Sequence, residues 1–268
     1  MKNKSLLIVR GGGDIATGTI HRLWSAGFKV LVLEAEHPAA IRRQVSLCEA
    51  VYEGHAVVEG AEAVLVSTEQ EMESVWSAGK IPLMVDPKGN WIQKLKPAVV
   101  VDAILAKKNL GTNKSMANLT IGLGPGFCAG EDVDAVIETM RGHNLGRIIR
   151  SGSALPNTGI PGMVGGYAAE RVIHADGAGI IKNIHKIGDV VEQEEVIATI
   201  EQDGSSLEVT AKISGIIRGL IRDGYPVTKG FKIADIDPRK EEIDNCFTIS
   251  DKARCIAGSV LELVCSYL

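Results

Sequence analysis

A 36-residue repeat in the second half of the chain constrains the fold most strongly. Its two copies share short apolar segments punctuated by glycine. The matched segments are Gly179-Ile180-Ile181 with Gly215-Ile216-Ile217, Gly188 with Gly224, Val191 with Val227, and Ile197–Ile200 with Ile233–Ile236. Such self-similarity indicates two copies of one supersecondary unit that bury their apolar faces against each other. Because neither copy could bury that face alone, the repeat predicts one small all-β domain.

Length and charge limit the class of protein. The 268 residues suffice for two domains, and 45% hydrophobic residues provide ample apolar surface. A formal net charge of -4 argues against general nucleic-acid binding, which requires concentrated Lys and Arg. No apolar run approaches the roughly 20 residues that span a bilayer, and the first apolar segment is too short for a signal-peptide core. We therefore expect a cytoplasmic protein that contacts neither nucleic acid nor membrane.

Cysteine and histidine spacing gives no sign of a metal site or a disulfide framework. The five cysteines are widely spaced without a Cys-x-x-Cys pair, and the six histidines form no ligand pattern. Cys128 lies in a glycine-rich loop ahead of a predicted helix at Asp132–Met140, whose dipole would lower the pKa of the thiol. The alternative interpretation of Cys128 is a small residue in a tight loop.

A strand, a glycine turn and a helix are predicted in succession near the N-terminus. Ser5–Arg10 is apolar and rich in β-formers, Gly11-Gly12-Gly13-Asp14-Ile15-Ala16 follows, and Thr17–Ala26 has apolar residues at helical spacing. A second buried strand, Lys29–Glu34, ends in a carboxylate. This context fits the dinucleotide-binding pattern G-x-G-x-x-[GA].

Each position of this pattern has an expected role. Gly11 allows the tight turn, with Gly12 beside it in the loop, and Gly13 lets a ligand approach the backbone. Ala16 packs helix on strand, and Glu34 contacts a ribose hydroxyl. We expect a nucleotide or similar anion at the N–H groups of the helix N-terminus; the alternative is a glycine turn used only for packing.

Two charged positions complicate this site. Asp14 would repel a pyrophosphate unless it faces away, caps the helix or binds a bridging metal ion. Arg42 and Arg43, which follow Glu34, could hold a 2'-phosphate, but they are equally well interpreted as solvated helix charges.

Strands and helices continue to alternate after residue 60. Strands are predicted at 63–66, 81–86 and 98–102, with a helix at 69–77. Asp86 and Asp102 end two of these strands, at the edge where ligands bind to parallel sheets, although each could be a turn or helix-capping residue. Lys107 and Lys108 follow Asp102 as partners for a phosphate or an oxyanion.

A second glycine loop follows the strand at 118–121. Gly122, Gly124 and Gly126 would bring backbone amides to a ligand without side-chain obstruction. Soon afterwards comes a long polar loop, Ser151–Gly162, which contains Asn157. We expect the two loops to line one pocket; the alternative is an ordinary interdomain linker.

The repeat resembles the two halves of a biotinyl or lipoyl carrier domain. In those carriers the modified lysine stands at a hairpin apex between the halves. Here the apex is Glu201-Gln202-Asp203-Gly204-Ser205-Ser206, with Gly204 where the lysine would be. The resemblance therefore implies a barrel-sandwich domain without a swinging cofactor, and a role in docking or lid formation.

Several further motifs resemble the YqeB family over nearly the whole chain. They are Arg10–Gly18, Glu34–Arg43, Asp102–Asn109, Gly122–Gly130, Arg141–His143 and Pro156–Gly159. That resemblance implies a maturation protein of a selenium-dependent molybdenum hydroxylase system, and more distantly an XdhC-type accessory protein. It implies as ligand NAD(P) or a molybdopterin dinucleotide, and as partner a molybdenum hydroxylase client.

The overall expectation is an α/β protein with two domains and a tail. Residues 1–167 would form a Rossmann-like domain with a doubly wound parallel sheet, 168–238 the barrel-sandwich domain, and 239–268 a helical tail packed on a domain or on a partner subunit. Two other functions stay open: an NAD(P)-dependent oxidoreductase, with Asp102 or His143 in proton transfer, and a non-catalytic scaffold. The ligand, the client, the role of selenium and self-association are left open by the sequence.

Overall fold

The computed structural model describes residues 5–159, 162–202 and 204–268, which form two compact units. The first unit comprises Met1–Pro38, Ser46–Thr158 and Ile249–Leu268, and the second comprises Ala39–Val45 and Gly159–Thr248. These bounds differ from the expected boundary at 167–168 and from a separate tail. Ala39–Val45 belongs to the second unit because its backbone bonds there: the Leu220 N–H donates to the Ile41 carbonyl (2.8 Å).

The first unit is mixed α/β. Its strands are β1 (Leu6–Arg10), β2 (Lys29–Glu34), β3 (His55–Val58), β4 (Ala61–Leu65), β5 (Ile81–Val85), β6 (Val99–Asp102), β7 (Leu119–Leu123), β8 (Cys128–Ala129), β9 (Ala135–Ile137), β10 (Ile148–Ile149) and β11 (Gly152–Ser153). Its helices are α1 (Asp14–Ser25), α2 (Ala50–Glu53), α3 (Glu69–Ser77), α4 (Asn90–Leu95) and α5 (Asp251–Tyr267). The predicted elements up to residue 121 are thus present with small shifts of their ends.

The described residues of this unit build one large sheet in the order β10-β9-β7-β6-β1-β2-β5-β4-β3. All neighbours run parallel except the outer pairs β3–β4 and β9–β10. The central strands are continuous apolar runs; Leu7, Ile8 and Val9 of β1 are fully buried. Such runs are typical of parallel strands covered on both faces.

The helix predicted at Asp132–Met140 is wrong, because this segment contains strand β9, parallel to β7. Asp134 accepts hydrogen bonds from the Thr120 N–H and hydroxyl (both 2.8 Å), and the flanking Val133 and Val136 are fully buried. Asp134 therefore fixes the register of this strand in the sheet and does not mark the start of a helix. The expected dipole effect on Cys128 fails with the helix, since Cys128 pairs with Ser153 in the small β8–β11 sheet.

Helix α5 packs against α1 within the first unit. The Ser250 hydroxyl accepts a hydrogen bond from the Ala253 N–H (3.2 Å), which confirms the predicted N-cap. Gly18 of α1 faces Ala253 so closely that a Cβ at Gly18 would lie 2.8 Å from the Ala253 Cβ. The tail is therefore an integral layer of the first unit.

The second unit contains the repeat. Its strands are β12 (Val172–His174), β13 (Gly179–Asn183), β14 (Val190–Val191), β15 (Val196–Gln202), β16 (Ser205–Thr210), β17 (Gly215–Leu220), β18 (Pro226–Val227) and β19 (Lys232–Asp237). Within the described residues they form two four-stranded sheets, β12-β19-β17-β14 and β16-β15-β13-β18.

The two copies of the repeat exchange strands. β13 of the first copy pairs with β18 of the second, while β17 of the second pairs with β14 of the first. Gly179 and Gly215 occupy equivalent places in the two copies. A Cβ on Gly179 would lie 2.5 Å from the Glu201 carbonyl oxygen, and a Cβ on Gly215 would lie 2.3 Å from the Asp237 carbonyl oxygen. The interlocked pairing explains why one copy could not fold alone.

Among the described residues, no helix is both long enough and apolar enough to cross a bilayer.

We predict that Gly215→Ala destabilises the protein, because the added methyl group meets the Asp237 backbone of the adjacent strand. The free energy of unfolding, measured by urea denaturation, should fall by about 1–3 kcal/mol. Gly177→Ala is the matched control, since its methyl group meets only the end of the Leu207 side chain. Equal stability of the two variants would contradict this account of the repeat.

Candidate functional site

The carboxyl ends of four neighbouring strands gather most of the predicted site residues. In the pairing of β1 with its neighbours, Arg10 lies opposite Leu33 and Asp102, and Asp102 lies opposite Gly122. The two glycine loops, Glu34 and Asp102 therefore share one edge of the sheet. From β1 the chain continues to β2 on one side, and β6 lies on the other side of β1. In parallel sheets, a crevice opens at the carboxyl edge where the strand order changes direction in this way.

The first glycine loop is held by the protein itself. Gly11 has φ +94°, and a Cβ there would lie 2.9 Å from the Ala103 carbonyl oxygen. The Gly11 N–H donates to the Leu33 carbonyl (2.8 Å), and the Gly12 carbonyl accepts from the Cys48 N–H (2.8 Å) and the Thr17 hydroxyl (3.1 Å). Neighbouring backbone thus leaves no room for a side chain at either Gly11 or Gly12.

Glu34 closes the same loop from the end of β2. Its carboxylate accepts hydrogen bonds from the Gly12 and Ala35 N–H groups, both at 2.7 Å. Burial raises the pKa of this carboxyl, and the two hydrogen bonds oppose the rise. Contact with a ribose stays a prediction for Glu34, whose observed partner is the loop.

Gly13 differs from the other glycines of the two loops. It is the N-cap of α1 in extended conformation (φ -66°, ψ -179°), no side chain caps the helix there, and a Cβ would meet no atom within 4 Å. Asp14 follows in the first helical turn, and Ala16 is fully buried as predicted. Open space at a helix N-terminus is what an anion bound to backbone amides needs.

The surroundings of this N-terminus carry negative charge. Burial raises the pKa of the Cys48 thiol, and the carboxylates of Glu34, Glu49 and Asp14 raise it further. Cys48 and Glu49 lie in a 3-10 turn that covers the Gly12 side of the loop. An anion at Gly13 would therefore need a positive side chain to balance these carboxylates.

Helix α5 supplies such a side chain in Lys252, which the sequence did not single out. Burial first, and Arg141 second, lower the pKa of the Lys252 amine, whereas Asp14, Glu138 and Asp251 raise it. Arg141 itself forms a two-point ion pair with Asp251 (2.8 and 2.9 Å). Lys252 is half-buried and adjoins Ala253, the residue that faces Gly18 of α1, so α5 carries a cation alongside α1.

Asp102 belongs to a buried network rather than to an open site. Its carboxylate accepts from the Thr112 hydroxyl (2.5 Å) and the Ile104 N–H (3.1 Å), and lies 3.5 Å from the Arg10 guanidinium. Arg10 also donates to the Thr112 hydroxyl and to the Pro87 carbonyl (2.9 Å). Since Asp102 is 2% exposed, it is poorly placed for proton transfer to a substrate. Lys107, by contrast, is exposed, with φ +61°.

The second glycine loop also packs against the protein. A Cβ on Gly122 would lie 2.6 Å from the Phe127 ring, one on Gly124 2.5 Å from the Thr139 hydroxyl, and one on Gly126 2.7 Å from the Lys108 backbone. The predicted purpose, access of a ligand to the amides, stays untested; the observed purpose of these glycines is close internal contact.

The remaining predicted residues bond to other parts of the protein or are exposed. In the second unit, Arg43 donates to the Leu220 carbonyl (2.8 Å) and Arg42 to the Asn245 carbonyl (2.9 Å). The Asp86 carboxylate accepts a hydrogen bond from the Trp91 N–H in the first turn of α4 (2.8 Å). This contact favours the helix-capping interpretation of Asp86. Asn157 and His143 are exposed. The predicted loop Ser151–Gly162 includes Ile160 and Pro161, which lie outside the described residues.

At the hairpin apex of the second unit, Gln202 pairs with Ser205 between β15 and β16. Gly204 has φ +81°, a conformation suited to glycine in a tight turn. Asp203 lies outside the described residues, and no lysine occurs in this apex sequence.

Comparison with known proteins supports the two resemblances. Residues 169–236 match the family model described as biotin-requiring enzyme, Biotin_lipoyl, so the second unit carries a biotinyl/lipoyl-like domain. Over 258 residues, 96% of the chain, the sequence is 51% identical to the Escherichia coli (strain K12) protein named "Uncharacterized protein YqeB". This identity supports the YqeB resemblance. The chain spans 47% of that relative's length.

Similar solved structures include two with low scores. One is the product-bound ectoine utilization protein EutE (DoeB) from Ruegeria pomeroyi, with TM-score 0.29 and 10% identity over 88% of this chain and 86% of that one. Another is a succinylglutamate desuccinylase/aspartoacylase from Rhodobacter sphaeroides, with TM-score 0.29 and 14% identity over 87% and 84%. Similarity at this level carries no inference about the fold or the function of the chain.

We predict that Glu34 makes stability fall as pH rises. The folded carboxyl has a raised pKa, so its contribution is complete below the ordinary value of 4.5 and is lost as pH rises through the folded pKa. In urea unfolding at a series of pH values, the native protein should therefore lose stability relative to Glu34→Gln with rising pH.

Glu71→Gln is the control with the opposite sign. Hydrogen bonds from the Ser67 and Thr68 N–H groups lower the pKa of Glu71, so the native protein should gain stability relative to this variant as pH rises. Parallel pH profiles for the two variants would rule out the proposed electrostatics of the first loop.

Proposed function

We propose that this chain is an accessory protein that binds a nucleotide-containing cofactor at the carboxyl edge of its large sheet and delivers it to a molybdenum hydroxylase. The cofactor is NAD(P) or a molybdopterin dinucleotide. The observation that carries the proposal is Gly13, an uncapped helix N-terminus with open space beside it. Its position supports a Rossmann-like, doubly wound interpretation of the sheet, because β1 stands where the strand order changes direction.

The residues present fit the anionic part of such a cofactor. The N–H groups at the start of α1, which follow Gly13, would hold a phosphate, and Lys252 would balance the charge of Asp14. When bound, the dinucleotide would supply the redox or metal-carrying group; the chain would bind and orient it. The 51% identical relative supports the YqeB resemblance. The maturation role in a selenium-dependent system is what that resemblance implies, and we adopt it as part of the proposal.

The second unit is proposed to dock the client. Its biotinyl/lipoyl-like domain has Gly204 where a carrier lysine would stand, which argues against group transfer. We propose that this domain binds the client through its surface instead of carrying a swinging group.

A non-catalytic scaffold is the second candidate, and the glycine packing favours it. Gly11, Gly12, Gly122, Gly124 and Gly126 all have close contacts inside the protein, so turns and packing alone would account for them. The oxidoreductase alternative has less support, because Asp102 is buried in its own network.

We predict that Gly13→Asp abolishes cofactor binding without loss of stability. The extended backbone and open space accept the side chain, an aspartate is a good N-cap, and its charge repels phosphate. Calorimetric titration with NAD, NADP and a molybdopterin dinucleotide checks this. Gly13→Asn is the matched control, a neutral cap of nearly the same shape. No heat with any ligand on the native protein would leave the scaffold as the explanation.

A second prediction concerns Lys252→Met, which removes the cation and keeps an apolar stem. Affinity for the same ligand should fall roughly tenfold, a typical loss for one charge-assisted contact. The salt dependence of binding should fall with it, since fewer charges are paired. Unchanged affinity in this variant would show that the anion does not reach α5.

A further inference from the structure

A tetrapeptide occurs twice in the first unit, as Trp24-Ser25-Ala26-Gly27 and Trp76-Ser77-Ala78-Gly79. Both copies end a helix, α1 and α3, and both lead into neighbouring strands, β2 and β5. In each copy the glycine has positive φ and its N–H donates to the carbonyl of the tryptophan (2.9 Å in both). The next residue, Phe28 or Lys80, donates to the carbonyl before the tryptophan (3.2 and 3.0 Å), so both ends are Schellman motifs.

The two motifs border one cavity of about 730 Å³ at the amino edge of the sheet. Its principal lining residues are Trp24, Phe28, Lys29, Glu73, Trp76 and Lys80. The chain has only 3 tryptophans, and two of them meet here, each half-buried. An aromatic-poor protein thus concentrates its largest flat side chains around a single space.

The indole groups are fixed in place by hydrogen bonds. The Trp24 Nε1–H donates to the Gly79 carbonyl of the other motif (2.8 Å), and the Trp76 Nε1–H donates to the Val30 carbonyl (2.7 Å). Their polar atoms are therefore occupied. Because Lys29 lies over the Trp76 ring, the Trp24 ring is the surface that the cavity offers. Rigid aromatic surfaces lose little conformational entropy when a flat ligand stacks on them.

The charges at this cavity are paired within the protein. Lys29 Nζ lies 2.9 Å from a Glu73 carboxylate oxygen and 3.8 Å from the centre of the Trp76 ring, and Lys80 Nζ lies 2.9 Å from Glu62. Two helix C-termini also end here, and each carries partial negative charge on its carbonyl groups. The site therefore favours an uncharged ligand with hydrogen-bond donors over a phosphate or a carboxylate.

We propose that this cavity binds a planar, uncharged heteroaromatic ring that carries amino groups, as a purine base does. The ring stacks on Trp24, and its amino groups lie in the negative field of the two helix C-termini. α1 has 12 residues and is therefore about 18 Å long, so this site lies at the opposite end of the helix from Gly13. It is distinct from the proposed cofactor site.

Tryptophan fluorescence tests the proposal directly. In a Trp91→Phe variant, Trp24 and Trp76 are the remaining tryptophans. With excitation at a wavelength that tyrosine does not absorb, adenosine should quench their emission along a saturable curve. Purine riboside, which lacks the amino group, should bind several-fold more weakly. Quenching that rises linearly without saturation, or equal affinity for both nucleosides, would overturn the proposed recognition.

A second variant locates the ligand. Trp24→Leu in the same background should weaken adenosine binding roughly tenfold, within the range known for base–aromatic stacking. Saturation-transfer NMR with the native protein covers the case in which this variant does not fold; absence of transfer from protein to adenosine would refute the site. Gly13→Asp should leave adenosine binding unchanged, which separates this result from the fate of the cofactor proposal.

Discussion

The buried contact between Arg10 and Asp102 is the constraint on which the carboxyl edge of the large sheet depends. Both side chains end adjacent strands and are almost completely inaccessible, so their charges must be satisfied within the protein. Thr112 bonds to both groups, and Pro87 accepts from Arg10. The segment from Ala103 to Thr112 is thereby folded back over the strand ends.

The position of that segment explains both glycine loops. Ala103 comes so close to Gly11, and Lys108 to Gly126, that no side chain fits at either glycine. Leu105 and Lys107 adopt positive φ between these two contacts, a strained conformation for residues other than glycine. Close approach of backbone to backbone therefore shapes the edge, and Gly13 is left as the glycine whose neighbourhood is open.

Electrostatics gives the open part of this edge its character. Glu34, Glu49 and Asp14 surround the buried Cys48 thiol with negative charge, and α5 brings Lys252 towards Asp14. The same helix is joined to the rest of the unit by ion pairs of Arg141 with Asp251 and of Arg254 with Glu59. A segment distant in sequence thus decides the charge at the start of α1.

Local pattern in the sequence determined the elements of this protein. Apolar runs specify β1, β2 and β6, a capping serine and helical spacing specify α5, and the 36-residue repeat specifies the paired glycines of the second unit. These features depend on neighbouring residues or on an internal copy, so a single sequence reveals them. The helix predicted at Asp132–Met140 is wrong because the acidic and apolar residues of this segment suit either structure until β7 lies beside it.

Only the tertiary structure decided what the glycines and charged side chains do. The contacts of Gly12 with Glu34 and Cys48, of Arg43 with Leu220, and of Lys252 with its charged neighbours join residues far apart in the chain. A sequence pattern shows that a glycine or a charge is present. Its partners, and therefore its burial and its pKa, follow from which segments the folded chain brings together, because packing and electrostatic interactions act over distance in space.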